Sequence, residues 1–187
     1  MLSRVYQPSE DSFFLLKVVE RIRAAKVAEV GIGSGFVIHE YVKANSPDIA
    51  VGTDLDIEAL KIARDRNGRE IIDHVLCLSC DPFREGSFQM VFFNPPYLRD
   101  EDAEDLATSG GREGFERTYE MACSSYEALV DHGCMVFLAS NLSNLESLLQ
   151  KLRREGKNAV QLVSLKLFFE ELYAFKVTKE LVSQKSL

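Results

Sequence analysis

The chain has 187 residues and a mass of 21.1 kDa, which suits one domain over residues 1–187 able to bury ~70% of the surface its unfolded form exposes. A hydrophobic content of 46% beside 27% charged residues excludes a disordered, collagen-like or coiled-coil chain. The net charge of −7 disfavours non-specific attraction to nucleic acid, and the longest apolar run, Cys134 to Ala139, is far too short to span a membrane.

Strand-like and helix-like stretches alternate along most of the chain, the signature of an α/β domain with a largely parallel sheet. Residues 1–25 form an N-terminal helical segment. Ser9 can cap its helix, Glu10 and Asp11 suit the first turn, and Leu15, Val18, Val19 and Ile22 follow helical spacing to about Ala25. No apolar leader precedes it, so the cytoplasm is the expected compartment. Residues 27–30 then read as a strand, 36–44 as a helix, 49–53 as a strand, and 57–67 as a helix stopped at Gly68.

Residues 75–80 read as a strand without charge or proline. On a strand, Cys77 and Cys80 would point to opposite faces, so their Cys-x-x-Cys spacing cannot easily hold one ion. All four cysteines are expected as free thiols. His39, His74 and His132 fall in no metal or triad motif, and no metal site is expected. Residues 89–93 form the next strand, followed by an aperiodic segment from Asn94 to Phe115, of a length that usually carries function. Asp100, Glu101, Asp102, Glu104 and Asp105 in it read mainly as a solvated run. Tyr119, Ala122, Tyr126, Leu129 and Val130 define a helix, 135–139 a strand, and Ser143-x-x-Glu146 a capping box opening a leucine-faced helix that Gly156 stops. Residues 160–177 hold two strands close in sequence, hence a hairpin and one antiparallel strand.

Two segments carry chemistry. Glu29-Val-Gly31-Ile-Gly33-Ser-Gly35 joins a strand to a helix, where glycines let backbone approach a ligand. Its third glycine comes two residues after the second, whereas a dinucleotide fingerprint requires glycine at 36, which is Phe. Asp54 lies where a ribose-binding carboxylate belongs, and Asp81 would face the same crevice beyond the carboxyl ends of the strands. The pattern resembles the S-adenosylmethionine loop of Rossmann-like methyltransferases. The second segment is Asn94-Pro95-Pro96-Tyr97. Its prolines end a strand abruptly and leave carbonyls without competing N–H groups. The Asn94 side-chain oxygen and the Pro95 carbonyl could accept both hydrogens of a planar, weakly nucleophilic nitrogen, and Tyr97 could stack on its plane.

These segments, with Val5-Tyr6-Gln7-Pro8-Ser9-Glu10-Asp11-Ser12, resemble the HemK family of glutamine N5-methyltransferases. The likeness is strongest to the short archaeal and eukaryotic branch that modifies the Gly-Gly-Gln motif of class I translation termination (release) factors, and Gly110-Gly111-Arg112-x-Gly114 extends it. The resemblance implies a Rossmann-like methyltransferase fold with a seven-stranded, mostly parallel sheet and S-adenosylmethionine as cofactor. It implies that Tyr6 and Ser12 line the cofactor site with Glu29, that Gly31, Gly33 and Gly35 approach the methionine part, and that Asp54 holds the ribose and Asp81 the adenine amine. Asn94, Pro95, Pro96 and Tyr97 would hold the acceptor, with Arg112 beside the substrate. It also implies a small zinc-binding activator subunit pairing with the edge strand at 75–80. Gln7 departs from the family's usual Glu. Leu167-Phe168-Phe169-Glu170-Glu171 departs further, since a polar turn is expected there; its apolar residues read as core packing at a hairpin end or as a docking surface.

Alternative activities are an N6-adenine methyltransferase, disfavoured by size and charge, and a protein-lysine methyltransferase. A non-catalytic cofactor-binding scaffold would show degenerate motifs, and both are intact.

Overall fold

The stretch Phe-Gln-Met-Val-Phe-Phe, residues 88–93, is apolar at nearly every position, which suits a strand covered on both faces. In the computed structural model, which describes residues 5–66, 72–101 and 109–181, it is the middle strand of a seven-stranded sheet. The elements in chain order are α1 (Glu10–Val19), β1 (Lys26–Val30), α2 (Phe36–Asn45), β2 (Ile49–Asp54), α3 (Ile57–Arg66), β3 (Asp73–Leu76), β4 (Phe88–Phe93), α4 (Glu116–Ala128), β5 (Leu129–Ser140), α5 (Leu145–Arg154), β6 (Ala159–Lys166) and β7 (Glu171–Thr178). The strands lie in the order β3-β2-β1-β4-β5-β7-β6. The first five are mutually parallel, and β7 runs antiparallel between β5 and β6. This is the expected Rossmann-like sheet with one reversed strand.

Helices cover both faces. Leu15, Ile38, Tyr41 and Leu60 from α1, α2 and α3 pack with Val27, Met90, Phe92 and Val136 on one side. Met121, Ala122, Leu148 and Leu152 from α4 and α5 pack with Val30, Val91, Phe93 and Phe137 on the other. Phe93, Phe137 and Phe175 stack across three neighbouring strands at 5.5 and 5.6 Å. Each such ring taken fully out of water contributes about 2 kcal/mol. Among the described residues, no helix is long and apolar enough to cross a membrane.

The order of strands sets the position of the site. From β1 the chain steps outward to β2, whereas from β4 it steps the other way to β5, so β1 and β4 flank the switch point at which open α/β sheets bind ligands. Val30 pairs with Phe93. The chain therefore leaves the sheet side by side at Gly31 and Asn94.

Several boundaries differ from the sequence expectation. Helix α1 stops at Val19 and not near Ala25, because the chain turns back to enter β1. The Tyr41 hydroxyl holds that turn, donating to Ile22 O at 2.9 Å and accepting from Ala24 N at 3.2 Å. Ser9 is at the N-cap position, yet its hydroxyl donates to Asp11 and caps nothing. Strand β3 covers 73–76 and not 75–80. Cys77 and Cys80 lie beyond it, so the opposite-face argument does not apply to them; Cys77 donates to Ser79 O at 3.2 Å, and all four cysteines are free thiols. The strand also includes Asp73, so the expected lack of charge is corrected. Helix α4 ends at Ala128, and Leu129 and Val130 open a longer β5. The Ser143 capping box does not form, because Ser143 Oγ donates to Ser140 O. Asn144 caps α5 instead, accepting from Ser147 N at 3.2 Å. The expected helix end at Asn67–Gly68 and the acidic residues Asp102, Glu104 and Asp105 lie outside the described residues.

Gly35 precedes α2 with φ of 75°, and an added Cβ would stand 2.8 Å from Ala63 Cβ. Glycine here thus serves helix packing as well as backbone freedom. With no side chain available at the N-cap, Glu29 acts in its place, accepting from Ile38 N at 2.8 Å. We expect Gly35→Ala to lower unfolding stability by about 2 kcal/mol or more, measured by urea denaturation followed by circular dichroism.

Candidate active site

The site begins with a buried carboxylate. Asp11 is only 5% exposed, and burial of a charge requires hydrogen-bond donors around it. Oδ1 accepts from Ser9 Oγ at 2.7 Å and Ser12 N at 2.6 Å, and Oδ2 accepts from the Tyr6 hydroxyl at 2.6 Å and Asn94 Nδ2 at 2.8 Å. The segment before α1 is thereby bound to the end of β4. Tyr6 and Ser12 take part as neighbours of Asp11. Burial, and then the bond to Asp11, push the Tyr6 phenol well above its usual range, so it remains a neutral donor.

The bond to Asp11 fixes which way the Asn94 amide faces. Its Oδ1 is buried and has no partner among the described residues. A buried amide oxygen without a donor is costly, and this one follows Phe93 at the switch point. Donation from Nδ2 to a carboxylate also shifts electron density toward Oδ1, which strengthens it as an acceptor.

The other end of the tetrapeptide is held by a second carboxylate. The Tyr97 hydroxyl donates to Glu170 Oε1 at 3.4 Å, and Glu170 Oε2 accepts from Ser140 Oγ at 2.8 Å. Burial, followed by the charges of Glu170 and Asp11, raises the Tyr97 pKa. The Gly-Gly-Arg segment supports the middle. Gly110 donates to Leu98 O at 2.7 Å, and a Cβ on it would lie 2.8 Å from Pro96 O, so only glycine permits this approach. Pro95 is buried and Pro96 half-buried beneath this contact.

Across the switch point, a Cβ on Gly31 or Gly33 would meet its nearest atom only at 3.8 Å, leaving space beside the backbone. Gly33 N donates to Asp54 Oδ2 at 2.9 Å and Asp56 N to Asp54 Oδ1 at 2.9 Å. Each oxygen retains a lone pair for a hydroxyl donor. Asp81 is exposed, accepts from Ser79 Oγ at 2.7 Å, and lines a cavity of about 280 Å³ with Phe83 and Ser124. Open glycine backbone after β1 and the Asp54 acceptor at the end of β2 fit a nucleoside cofactor, whereas Asp81 lies five residues beyond the end of β3 and its cavity is lined by neither.

Residues 9–163 match the methyltransferase small domain family. The chain belongs to this methyltransferase family. It is 30% identical over 176 residues, 90% of this chain and 88% of the relative, to a Methanocaldococcus jannaschii protein assigned as a protein N5-glutamine methyltransferase. It is 25% identical to the eRF1 methyltransferase catalytic subunit of Schizosaccharomyces pombe, covering 81% of this chain and 79% of that one. Among solved structures, the E. cuniculi Mtq2–Trm112 complex responsible for methylation of the eRF1 translation termination factor matches with a TM-score of 0.77 and 26% identity, over 94% of this chain and 99% of that one. These relatives place the methyltransferase in the short HemK-type branch.

The structure brings Tyr6, Ser12, Asn94 and Tyr97 together, with Gly31, Gly33 and Asp54 across the switch point. It leaves other residues apart. Gly35 faces Ala63 and His39, and Glu29 is committed to α2, its carboxyl raised well above the usual range by burial. Arg112 is exposed, and no hydrogen bond or ion pair among the described residues ties it to Asn94 or Tyr97. Sequence reasoning missed Asp11 and Glu170. Asp11 lies within residues 5–12, where its one sequence signal is a place in the first turn of a helix. Glu170 carries no local signal.

Asn94→Ala is expected to lower kcat by at least about 100-fold while cofactor affinity stays within twofold by calorimetry. Asp11→Asn, which keeps shape but removes an acceptor for Nδ2, is expected to lower kcat by about tenfold or more with little change in KM.

Proposed function

We propose that the chain transfers a methyl group from S-adenosylmethionine to the side-chain amide nitrogen of a glutamine, in the Gly-Gly-Gln motif of a class I translation termination factor in the cytoplasm. The observation that supports this most is the buried oxygen of Asn94, which has no hydrogen-bond partner among the described residues; the carbonyl of the next residue, Pro95, would be the second acceptor. An amide nitrogen has two hydrogens and a delocalised lone pair, so two fixed acceptors orient it and stabilise the positive charge it gains as the new bond forms. S-adenosylmethionine supplies the electrophilic methyl group. Asp54 would accept from its ribose hydroxyls and Asp81 from its adenine amine, while Gly31 and Gly33 leave room for the methionine part. Tyr97, clamped by Glu170, offers a flat face to the planar amide.

The test is transfer of labelled methyl to the purified termination factor, with peptide mass spectrometry to locate the label. Label on the Gly-Gly-Gln glutamine, absent from its Gln→Ala variant, is the expected result. Label on lysine or on RNA would contradict the reading.

We also infer a partner at the β3 edge. The strand lies at the sheet boundary with Leu76 57% exposed, and an uncovered edge is a template for main-chain pairing. The E. cuniculi relative was solved with Trm112, and a small zinc-binding activator adding a strand here fits the edge. Leu76→Lys is expected to abolish co-purification of that subunit while cofactor affinity of the chain stays unchanged; an intact complex would place the subunit elsewhere.

A further inference from the structure

The β6–β7 turn carries the two most exposed large apolar side chains among the described residues. Phe168 is 91% exposed and Phe169 85%, and their rings meet edge-on with centroids 4.6 Å apart. Core packing, one of the two sequence readings, is thereby excluded for these two rings and holds for Leu167 alone. The turn stands on a fixed base. Leu167 packs against the core and donates to Glu170 O at 2.8 Å. Asn141 N donates to Glu171 O at 3.1 Å, and Glu171 N to Asn141 Oδ1 at 2.8 Å. Glu170, directly after Phe169, holds Tyr97 and Ser140.

Resting on the reading of the site as a glutamine methyltransferase, we propose that Phe168 and Phe169 form a docking tip for the protein that carries the acceptor, seated in an apolar pocket beside its glutamine loop. Four observations choose this occupant. The tip is continuous with the acceptor site, since one residue, Glu170, supports the turn through its backbone carbonyl and Tyr97 through its carboxylate. Strand β6 is parallel to β1 and β4, so the tip stands on the same rim of the sheet as Asn94. The β3 edge proposed for the small subunit lies at the opposite end of the sheet, six strand spacings or roughly 29 Å away, so the two partners do not compete. Charge adds the fourth. Glu170 and Glu171 follow the tip and Lys166 precedes it, while Glu113, next to the exposed Arg112, is bonded to the neighbouring turn through Asn144 at 3.2 Å. An anionic membrane or nucleic acid is repelled there, while a protein with a basic rim around an apolar pocket is attracted. Leu142, 41% exposed on the adjoining turn, widens the apolar surface.

The experiment compares the wild-type chain, co-expressed with its small subunit, with Phe168→Ser/Phe169→Ser, using the folded termination factor as substrate. We expect KM for the factor to rise at least tenfold, kcat to change less than twofold, and cofactor affinity and melting temperature to stay the same; Phe168→Ser alone should raise KM by a smaller factor. An unchanged KM, or a loss confined to kcat, would overturn the proposal. So would wild-type self-association in sedimentation, or retention on phosphatidylserine vesicles, that the double variant abolishes. If the wild type leaves the glutamine unmodified, the glutamine reading falls first and the docking tip with it; if it modifies the glutamine and the variant matches it, the tip alone falls.

Discussion

One hydrogen bond, from Asn94 Nδ2 to Asp11 Oδ2 at 2.8 Å, joins residues 83 positions apart and sets which way the Asn94 amide faces in the candidate site. An asparagine amide can present its oxygen or its nitrogen, and only the oxygen can accept from a nucleophile's N–H. Asp11 makes the choice. It can do so while buried because Ser9, Ser12 and Tyr6 supply further donors, so the carboxylate exchanges water for a closed set of charge-assisted bonds. These bonds tie the N-terminal segment to the end of β4 and make it part of the candidate site.

A second carboxylate mirrors the first. Glu170, near the C-terminal end of the described chain, holds Tyr97 as Asp11 holds Asn94, so both ends of the Asn-Pro-Pro-Tyr tetrapeptide are clamped by side chains distant in sequence. Prolines stiffen the middle, and the glycine at 110 lets the following segment lie against Pro96 O. The sheet makes these meetings possible. Because β7 inserts beside β5, the hairpin turn reaches the rim where β4 ends. The tetrapeptide is thus held from three sides, and such rigidity is what positioning of a reacting group requires.

The layout was legible wherever pattern and period coincide. The alternating elements, the buried strands expected at 89–93 and 135–139, and the reversed C-terminal strand all follow from apolar runs and short connections. The glycine loop and Asn94 to Tyr97 were legible because glycine and proline act through local backbone geometry. Boundaries were less so, since Ser143 was drawn to Ser140 O and left the cap to Asn144, and since β3 ended where Cys77 turned away. Glu170 could not be read from sequence, because its role depends on the pairing of β5 with β7, and a carboxylate in a hairpin turn looks solvated until that pairing is known. Arg112 shows the converse: a motif neighbour whose side chain is left in solvent.

The central claim is that Asp11 acts through Asn94. A double-mutant cycle on kcat with the Asp11→Asn and Asn94→Ala variants measures this coupling directly, using the same methyl-transfer assay for all four proteins. The account predicts strong non-additivity, with the double variant no slower than Asn94→Ala alone, because no amide is left for Asp11 to orient. Losses that simply multiply would contradict it, and would mean that the two residues serve the reaction independently.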